Sequence, residues 1–427
     1  MATPESAPTD LQNQRAPSRS RRAVLILAVA FPPDNLSGAK RPFRFATYLP
    51  QHGYETQVIT ACRESGSLKW DHVHVAPAVE GYSRKAAWSS WLLEQFQRRL
   101  LPYNDQLPWV PYALETATSI VRRSSVAAVL STSPPICSHL VAARLKSRYG
   151  VKWIADFRDP LYGNPWRRRR LAWIYDALLE RYIIRRADAV LANTSTVGDM
   201  LRNRYPSDGH KIHVLWNGYD PADVLEAAPI PQRDYQTLAH VGVLGGGRHP
   251  GLLLDAVERL IGQGQLAPAK LRIQLIGSMD CDESWAKRPS FHSLTGRGCL
   301  EYTGRSVPEA EAHRLMAQSD FLLLLDLNDI NARLQVPAKL FDYLRIGRPI
   351  LAFTSSGSPT EHILAKSAIP HVCLHPDDPP EHIERMVGEF LQLRTEPVVA
   401  SSWFWKTFNA STQAESLSRL LDSLLEA

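Results

Sequence analysis

The second half of the chain alternates short apolar runs with segments of helical periodicity, and this alternation constrains the fold more than any other feature. The apolar runs occupy residues 238–244, 271–276, 300–302, 321–326, 349–353 and 371–374. Such runs suit strands buried in a parallel sheet, and each intervening helix would make a crossover connection between two strands. The pattern predicts a doubly wound α/β domain.

The first half repeats this pattern less regularly. Its predicted strands occupy 23–31, 56–60, 127–131, 151–155, 188–193 and 212–215. The first of these runs follows three arginines and resembles the apolar part of a signal peptide. We favour a buried strand because the run has only nine residues and continues into a loop and a helix. No stretch reaches the eighteen apolar residues of a membrane span.

Composition suggests how the chain is divided. Residues 1–22 are rich in Pro, Ser, Thr, Gln and Arg and are expected to form a disordered basic tail. Residues 221–236 hold three prolines and few periodic apolar positions, as a linker would. We therefore predict domains at 23–220 and 237–400 and a final helix within 401–427. This helix has a leucine stripe and a capping box formed by Thr412 and Glu415. The stripe is expected to pack on a domain surface, for which the first domain is a candidate.

Charge is distributed locally rather than over the whole surface. The chain has 49 basic and 43 acidic residues, and the excess lies in residues 1–22 and 167–186. This argues against a nucleic-acid-binding surface. The five cysteines are scattered without a CxxC pair, which is typical of a reduced cytosolic protein.

Two segments leave membrane contact open. Residues 171–183 follow a helical period with arginines on both sides, so they predict either a core-covering helix with a solvated basic face or a contact with anionic lipid or an acidic acceptor. Residues 86–101 combine tryptophans with arginines, which suits a membrane surface or a helix packed on the domain.

Two stretches of the second half suit an anionic ligand. In Gln335–Phe353 the order is loop, helix, turn and strand, with Pro337 at the expected helix start. The start of such a helix attracts phosphate, and Asp342 one turn later suits a ribose diol, although a solvated aspartate is the plain alternative. The turn from Gly245 to Arg248 suits a diphosphate, but its spacing matches neither the dinucleotide fingerprint nor a P-loop.

The first half offers weaker candidates. Gly38 would let backbone approach a ligand. Lys40 and Arg41 begin a predicted helix, where they would meet an anion or be solvated. His139 lies on a predicted helix, where a lone histidine is more often structural. The segment from Asp156 to Asp159, with Arg158 between them, ends a strand and is either a base with its orienting partner or a structural ion pair.

In this order and spacing, several motifs resemble those of the GT-B glycosyltransferases, specifically the retaining, nucleotide-sugar-dependent bacterial enzymes of family 4. The resemblance covers residues 23–427. It is carried by FPPDNLSGAKRPFRFATYLPQHGYE, STSPP, WIADFRDP, ADAVLANT, VLWNGYD, HVGVLGGGRHPGLLLDAV, YTGR and VPAKLFDYLRIGRPILAF. It implies two Rossmann-like domains facing a cleft, with the donor bound by the C-terminal domain and the acceptor by the N-terminal domain.

The resemblance also implies roles for single residues. The implied donor-binding residues are Gly38, Gly246, Gly247, Arg248, Gly304, Arg305, Lys339, Leu340 and Asp342. The implied catalytic residues on the acceptor side are His139, Asp156 and Asp159, and the implied acceptor-binding residues are Lys40, Arg41 and Arg158. No metal or cofactor is expected, because positive side chains and helix dipoles neutralise the leaving diphosphate.

The chain departs from the family pattern at two points. Leu334 stands where the first carboxylate of the E-x7-E pair is usual, and the lysine that usually follows the arginine of the glycine turn is missing. A sugar-nucleotide epimerase and a non-catalytic nucleotide-sugar-binding protein therefore remain alternatives to a transferase of cell-surface polysaccharide or glycoconjugate biosynthesis. The expected acceptor is a saccharide or a lipid-linked saccharide, and the expected location is the cytoplasm, either free or peripheral on the inner membrane.

Overall fold

A computed structural model of the protein describes residues 22–34, 37–62, 70–76, 106–164, 170–225, 229–245, 247–280, 284–327 and 333–426. The predicted tail, apart from Arg22, and the segment 86–101 lie outside the described residues. Within the described part, no helix combines the length and apolarity that a bilayer span requires.

Strands and helices alternate in both halves of the chain. The first-half strands are β1 (Arg22–Leu27), β2 (Tyr54–Thr60), β3 (Val73–Val75), β4 (Val126–Ser133), β5 (Lys152–Phe157), β6 (Ala189–Ala192) and β7 (Ile212–Val214). The first-half helices are α1 (Ser37–Tyr48), α2 (Trp109–Arg123), α3 (Cys137–Tyr149), α4 (Arg170–Arg186) and α5 (Ser195–Arg204).

The second-half strands are β8 (Gln236–Val241), β9 (Leu244–Gly245), β10 (Leu271–Ile276), β11 (Met279–Asp280), β12 (Leu300–Tyr302), β13 (Phe321–Leu325), β14 (Ile350–Phe353) and β15 (His371–Leu374). The second-half helices are α6 (Gly251–Gly262), α7 (Pro289–Gly296), α8 (Glu309–Ala317), α9 (Lys339–Ile346), α10 (Pro359–Ser367), α11 (Pro380–Phe390), α12 (Ser402–Thr407) and α13 (Ala410–Glu426).

Two parallel sheets form the framework, which confirms the predicted fold class. The described strands of the first sheet run in the order β3-β2-β1-β4-β5-β6-β7, and those of the second in the order β12-β10-β8-β13-β14-β15. Every residue of β13 is buried, as expected for a parallel strand covered on both faces. Chain order reverses between β1 and β4 and between β8 and β13. Ligands of such sheets bind beyond the carboxyl ends of the strands at these reversals.

The C-terminal helix α13 crosses back to the first domain, as the sequence suggested. Leu417 and Leu421 are buried in the apolar cluster that covers β1 and β2, and the Tyr54 hydroxyl donates to Asp422 Oδ1 at 2.6 Å. The predicted capping box is wrong, because α13 begins at Ala410 and so Thr412 lies inside the helix. Asn409 acts at the helix start, where its Oδ1 accepts from the Ser411 amide at 2.8 Å.

The two domains also touch across the cleft. Lys40 Nζ on α1 pairs with Glu309 Oε1 on α8 at 2.5 Å. The Thr194 hydroxyl donates to the Leu334 carbonyl at 3.4 Å, and the Leu334 side chain packs against the apolar core of the first domain. The residue that replaces the family's first carboxylate is therefore part of the contact between domains.

Candidate active site

The reversal point of the second sheet collects charged and polar side chains from three elements. His240 lies on β8, Asp326 directly follows β13, and Lys339 is the first residue of α9. Arg248 lies in the glycine turn that follows β9. The electrostatic influence of Arg248 reaches each of the other three side chains. Two basic side chains, a histidine and a carboxylate therefore meet at the carboxyl edge of the sheet.

Lys339 is held at this edge by a neutral histidine. The His240 Nδ1 atom lies 3.0 Å from the Leu323 carbonyl, which can only accept, so Nδ1 carries the proton. His240 Nε2 is then free to accept from Lys339 Nζ, at 2.9 Å. Gly242 makes room for this arrangement: its φ is +139°, and a Cβ at that position would collide with Lys339 Nζ.

Burial and a nearby cation perturb the lysine strongly. Desolvation, followed by the charge of Arg248, lowers the pKa of Lys339 from 10.5 to about 7, and Asp326 opposes this shift only partly. Desolvation also lowers the pKa of His240 well below its usual range, with the lysine as the second cause. A bound anion would relieve the repulsion between the lysine and Arg248.

The glycine turn serves mainly to place Arg248. The amide of Gly245 donates to the carbonyl of Arg248, and the amide of Arg248 donates back, both at 3.0 Å. Because these two amides form hydrogen bonds within the turn, they cannot bind a phosphate as the predicted cradle requires. Gly247 adopts a positive φ of +92°. Gly246 lies outside the described residues. The Arg248 Nε atom is buried and has no hydrogen-bond partner among the described residues. A buried unpaired donor on a cation suits an anionic ligand.

Asp326 is a site residue that the sequence reasoning missed. Its carboxylate is buried and accepts from the Leu327 amide at 2.8 Å and from the hydroxyls of Thr354 and Thr360 at 3.0 and 2.7 Å. Burial raises its pKa despite these hydrogen bonds. It ties together the loops that follow β13 and β14. The one signal in the sequence was an aspartate that directly ends a fully apolar strand.

The start of α9 differs slightly from the prediction. The helix begins at Lys339, so Pro337 precedes it instead of occupying its first position. The Leu340 side chain is fully buried and its amide donates to the Pro337 carbonyl at 3.0 Å, which corrects its assignment to donor binding. Asp342 is more accessible. Its side chain is 30% exposed and lies 3.8 Å from His313 Nε2 and 3.7 Å from the Arg345 guanidinium.

These distances leave Asp342 loosely paired. The nearby Asp342 carboxylate is the largest cause of the raised pKa of His313. A partly exposed carboxylate can still accept from hydroxyl groups, as a ribose diol would require. Gly304, with φ +63°, and Arg305 are exposed just beyond β12 at the same sheet edge. Their contact with a base stays a prediction.

Arg41 and Asp156 form a buried ion pair beneath the cleft, which corrects their assignment to acceptor binding and catalysis. Arg41 Nη2 lies 2.8 Å from Asp156 Oδ1, and the side chains are 5% and 0% exposed. Arg41 also donates to the carbonyls of Leu215 and Trp216 at 2.8 Å, while Thr132 donates to Asp156. With their hydrogen-bonding groups engaged, both residues join β4, β5, α1 and the end of β7.

His139 is likewise a core residue, contrary to its predicted catalytic role. It is fully buried, its Nδ1 lies 2.7 Å from the Ser131 hydroxyl, and its ring packs 4.9 Å from that of Phe157. Burial lowers its pKa to about 3, so the imidazole is neutral. A side chain without exposed surface cannot meet an acceptor in this conformation.

The remaining candidates of the first domain lie nearer the cleft. Arg158 donates to the carbonyls of Ser133 and Pro134 and occupies the space that a Cβ at Gly38 would fill. Gly38 thus permits a close approach, but the neighbour is this arginine. Asp159 is partly exposed, and desolvation raises its pKa. The Lys40 ammonium is committed to Glu309, as described above.

Metal binding was not expected from the sequence. Among the described residues, no three His, Cys, Asp or Glu side chains converge in a way that would hold a metal ion. Independence of metal stays a prediction.

Comparison with known proteins identifies a family model and several solved structures that resemble this chain. Residues 41–223 match the family model described as Glycosyltransferase Family 4. A search of curated protein sequences finds no significant match. Similar solved structures include sucrose-phosphate synthase from Thermosynechococcus elongatus, with a TM-score of 0.62 and 12% identity over 95% of this chain and 100% of that chain.

Two further similar structures are a complex with UDP and glucose and a sugar-nucleotide epimerase. HepE from Anabaena in complex with UDP and glucose has a TM-score of 0.55 and 12% identity, over 94% of this chain and 97% of that one. UDP-GlcNAc 2-epimerase from Methanocaldococcus jannaschii has a TM-score of 0.52 and 10% identity, over 94% and 99%. Glycosyltransferases outnumber epimerases among the similar structures. Within the first half of the chain, residues 41–223 are thus similar to Glycosyltransferase Family 4, and the chain as a whole has the GT-B fold.

Proposed function

We propose that the protein is a glycosyltransferase that moves a sugar from a nucleotide-sugar donor to an acceptor hydroxyl with retention of configuration. The observation that carries this proposal is the pair of cations, Arg248 and Lys339, at the reversal point of the second sheet. A nucleoside diphosphate leaving group gains negative charge as the glycosidic bond breaks. Preorganised cations that face this charge lower the barrier.

The arrangement in the first domain favours a mechanism in which neither His139 nor Asp156 acts as the base. His139 is buried, and Asp156 is engaged by Arg41 and Thr132. The acceptor hydroxyl would then attack the oxocarbenium-like centre on the face that the diphosphate leaves, and a diphosphate oxygen would take its proton. The protein contributes position and charge, as Lys339, Arg248 and Asp342 do in this proposal.

The proposed acceptor is a saccharide or lipid-linked saccharide in the synthesis of a cell-surface polysaccharide or glycoconjugate, and no metal is proposed. Peripheral contact with an anionic membrane belongs to the same proposal. The UDP complex of HepE supports a nucleotide donor, while the base and the sugar stay open.

A turnover assay tests this function against its alternatives. Purified protein is incubated with UDP-, GDP-, dTDP- and ADP-sugars, with and without EDTA, and with soluble or lipid-linked saccharide acceptors. We expect nucleoside diphosphate release that depends on an acceptor and persists in EDTA. Conversion of the donor into another sugar nucleotide without acceptor would instead identify an epimerase. Binding without any turnover would identify a non-catalytic protein, which Leu334 in place of a carboxylate would explain.

Donor binding should depend on pH through Lys339. In the free protein its pKa is about 7, so the amine is mainly neutral at higher pH. A bound diphosphate favours the ammonium, so binding takes up a proton and the affinity falls as pH rises above 7. We expect the Kd of the preferred nucleoside diphosphate to rise by up to about tenfold between pH 7.5 and 8.5. Isothermal titration calorimetry in buffers of different ionisation enthalpy measures both the affinity and the proton uptake.

The matched control for this experiment is Lys339→Arg, because arginine stays charged throughout this range. Its Kd should be nearly independent of pH. Equal pH dependence in the two proteins would show that another group is responsible.

A further inference from the structure

Helix α4 packs on the first domain with its acidic side chains inward. Asp176 and Glu180 are both fully buried. Glu180 accepts from the amides of Leu161 and Tyr162, each at 2.9 Å, and pairs with Arg204 at 2.5 Å. The Glu180 carboxylate therefore anchors the loop that follows β5. The expectation that the apolar stripe of this helix covers the core is correct only in part, because just a portion of that stripe faces inward.

The outer face of the same helix is apolar. Ile174 and Leu178 are each 64% exposed, and Trp173 and Tyr182 are 44% and 40% exposed. These four side chains are among nine large hydrophobic residues exposed in the described part of the chain. Ile174, Leu178 and Tyr182 are separated by four residues, so they lie along one face of a helix. A helix with buried carboxylates and exposed leucine and isoleucine reverses the usual pattern of a surface helix.

The outer face also carries only positive charge. Arg181, Arg185 and Arg186 are exposed, and none of them forms an ion pair with a described residue. Arg186 lies over the Tyr182 ring, 4.9 Å from its centroid. Both acidic residues of the helix are on the buried side. The outer face of α4 therefore complements a surface that has anionic groups on its outside and an apolar layer below them.

We propose that this outer face of α4 docks on an anionic lipid surface. A helix that lies in a bilayer interface typically has this composition: branched apolar side chains at the centre, Trp and Tyr beside them, and arginines toward one end. Both acidic side chains of the helix are buried, so its outer face combines exposed branched apolar residues with arginines, and we take an anionic lipid surface as the partner that satisfies both.

The topology gives this surface a place relative to the cleft. Helix α4 follows β5, so its N-terminal half, with Ile174 and Trp173, starts near the carboxyl edge of the first sheet. The cleft opens along that edge. Docking would bring the acceptor side of the cleft close to the head groups. This inference rests on the membrane contact included in the proposed function and names the surface that would make it, and it can be tested without any donor or acceptor.

Co-sedimentation of the full chain with vesicles tests the inference. The vesicles are pure phosphatidylcholine, or phosphatidylcholine with 30% phosphatidylglycerol, in 0.1 M and 0.5 M NaCl. The wild-type protein should bind the anionic vesicles and bind more weakly at high salt. Ile174→Ser with Leu178→Ser should weaken binding about tenfold, and Arg181→Gln with Arg185→Gln and Arg186→Gln about a hundredfold at low salt. Because all five side chains are exposed, these proteins should fold, which thermal unfolding checks.

Matched controls replace exposed residues of the same types elsewhere in the chain. Val224→Ser with Val399→Ser, and Arg314→Gln with Arg385→Gln and Arg419→Gln, should bind vesicles as the wild type does. Equal binding by wild type and the α4 variants would overturn the inference, as would equal loss in the control variants. A wild-type oligomer that the α4 substitutions dissociate in size-exclusion chromatography would overturn it in favour of a second copy of the chain. Donor turnover in lipid-free solution tests the proposed function separately.

Discussion

Replacing Arg248 by alanine should weaken binding of the preferred nucleoside diphosphate by roughly a hundredfold, because removing one member of a desolvated charge pair costs about 3 kcal/mol. The guanidinium is placed by the turn that Gly245 closes, and its buried Nε has no hydrogen-bond partner within the part of the chain that the structure describes. Its removal relieves repulsion on Lys339 but also removes a favourable interaction with Asp326, so the two effects oppose each other in the free protein. We expect the melting temperature without ligand to change little. Titration calorimetry and thermal unfolding give the two readouts.

The control for this variant is Arg385→Ala. Arg385 is an exposed arginine of the same domain, whose ion pair with Glu389 at 2.9 Å is a surface contact on α11. Such a pair contributes little, about 0.5 kcal/mol or less. The control should bind the nucleotide as the wild type does. If the Arg248 variant also keeps full affinity, then the assignment of the diphosphate site is wrong.

Replacing Asp156 by alanine should destabilise the first domain by about 3–5 kcal/mol, because it leaves the Arg41 guanidinium buried without its counter-ion. For a domain of this size that corresponds to a fall in melting temperature of roughly 6–20 °C. Arg41→Ala should be similarly severe, since it strands the carboxylate together with the carbonyls of Leu215 and Trp216. Differential scanning calorimetry measures both variants.

A double-mutant cycle separates the ion pair from the packing of its members. Arg41→Met combined with Asp156→Leu keeps apolar volume and removes both charges, so its destabilisation should be well below the sum of the two single variants. The buried pair would be contradicted if the losses in free energy of unfolding were additive, or if each single variant lost less than about 1 kcal/mol. A variant with normal melting temperature but no turnover would instead revive the catalytic role for Asp156.

The periodicity of the sequence was enough to predict the sheet framework. The runs at 271–276, 300–302 and 371–374 coincide with β10, β12 and β15, since a strand buried in a parallel sheet needs a continuous apolar run. The run at 238–244 was predicted as one strand, but it divides after Val241. Gly242 adopts a positive φ, and its backbone lies so close to Gly277 that a Cβ there would collide. That contact involves residues 35 positions apart in the sequence.

The candidate site was only partly predictable for the same reason. Arg248 could be predicted because it follows the glycines of a turn, and Lys339 because it lies at the start of a helix at a sheet edge. Nothing in the sequence indicated that His240 would accept from Lys339, or that Asp326 would organise the loops around them. His139 and Asp156 had the residue types of a catalytic pair, yet tertiary packing buried both.

The sequence by itself determined where helices and strands form and which family pattern they follow, because these depend on local periodicity and on short motifs. Only the tertiary structure decided which face of each element is covered. Helix α4 shows this most clearly: its apolar period predicted the helix, but Glu180 is drawn inward by the amides of Leu161 and Tyr162 and by Arg204. Burying a carboxylate is favourable only when such partners are assembled, and they come from other parts of the chain. Leu178 is left outside as a consequence.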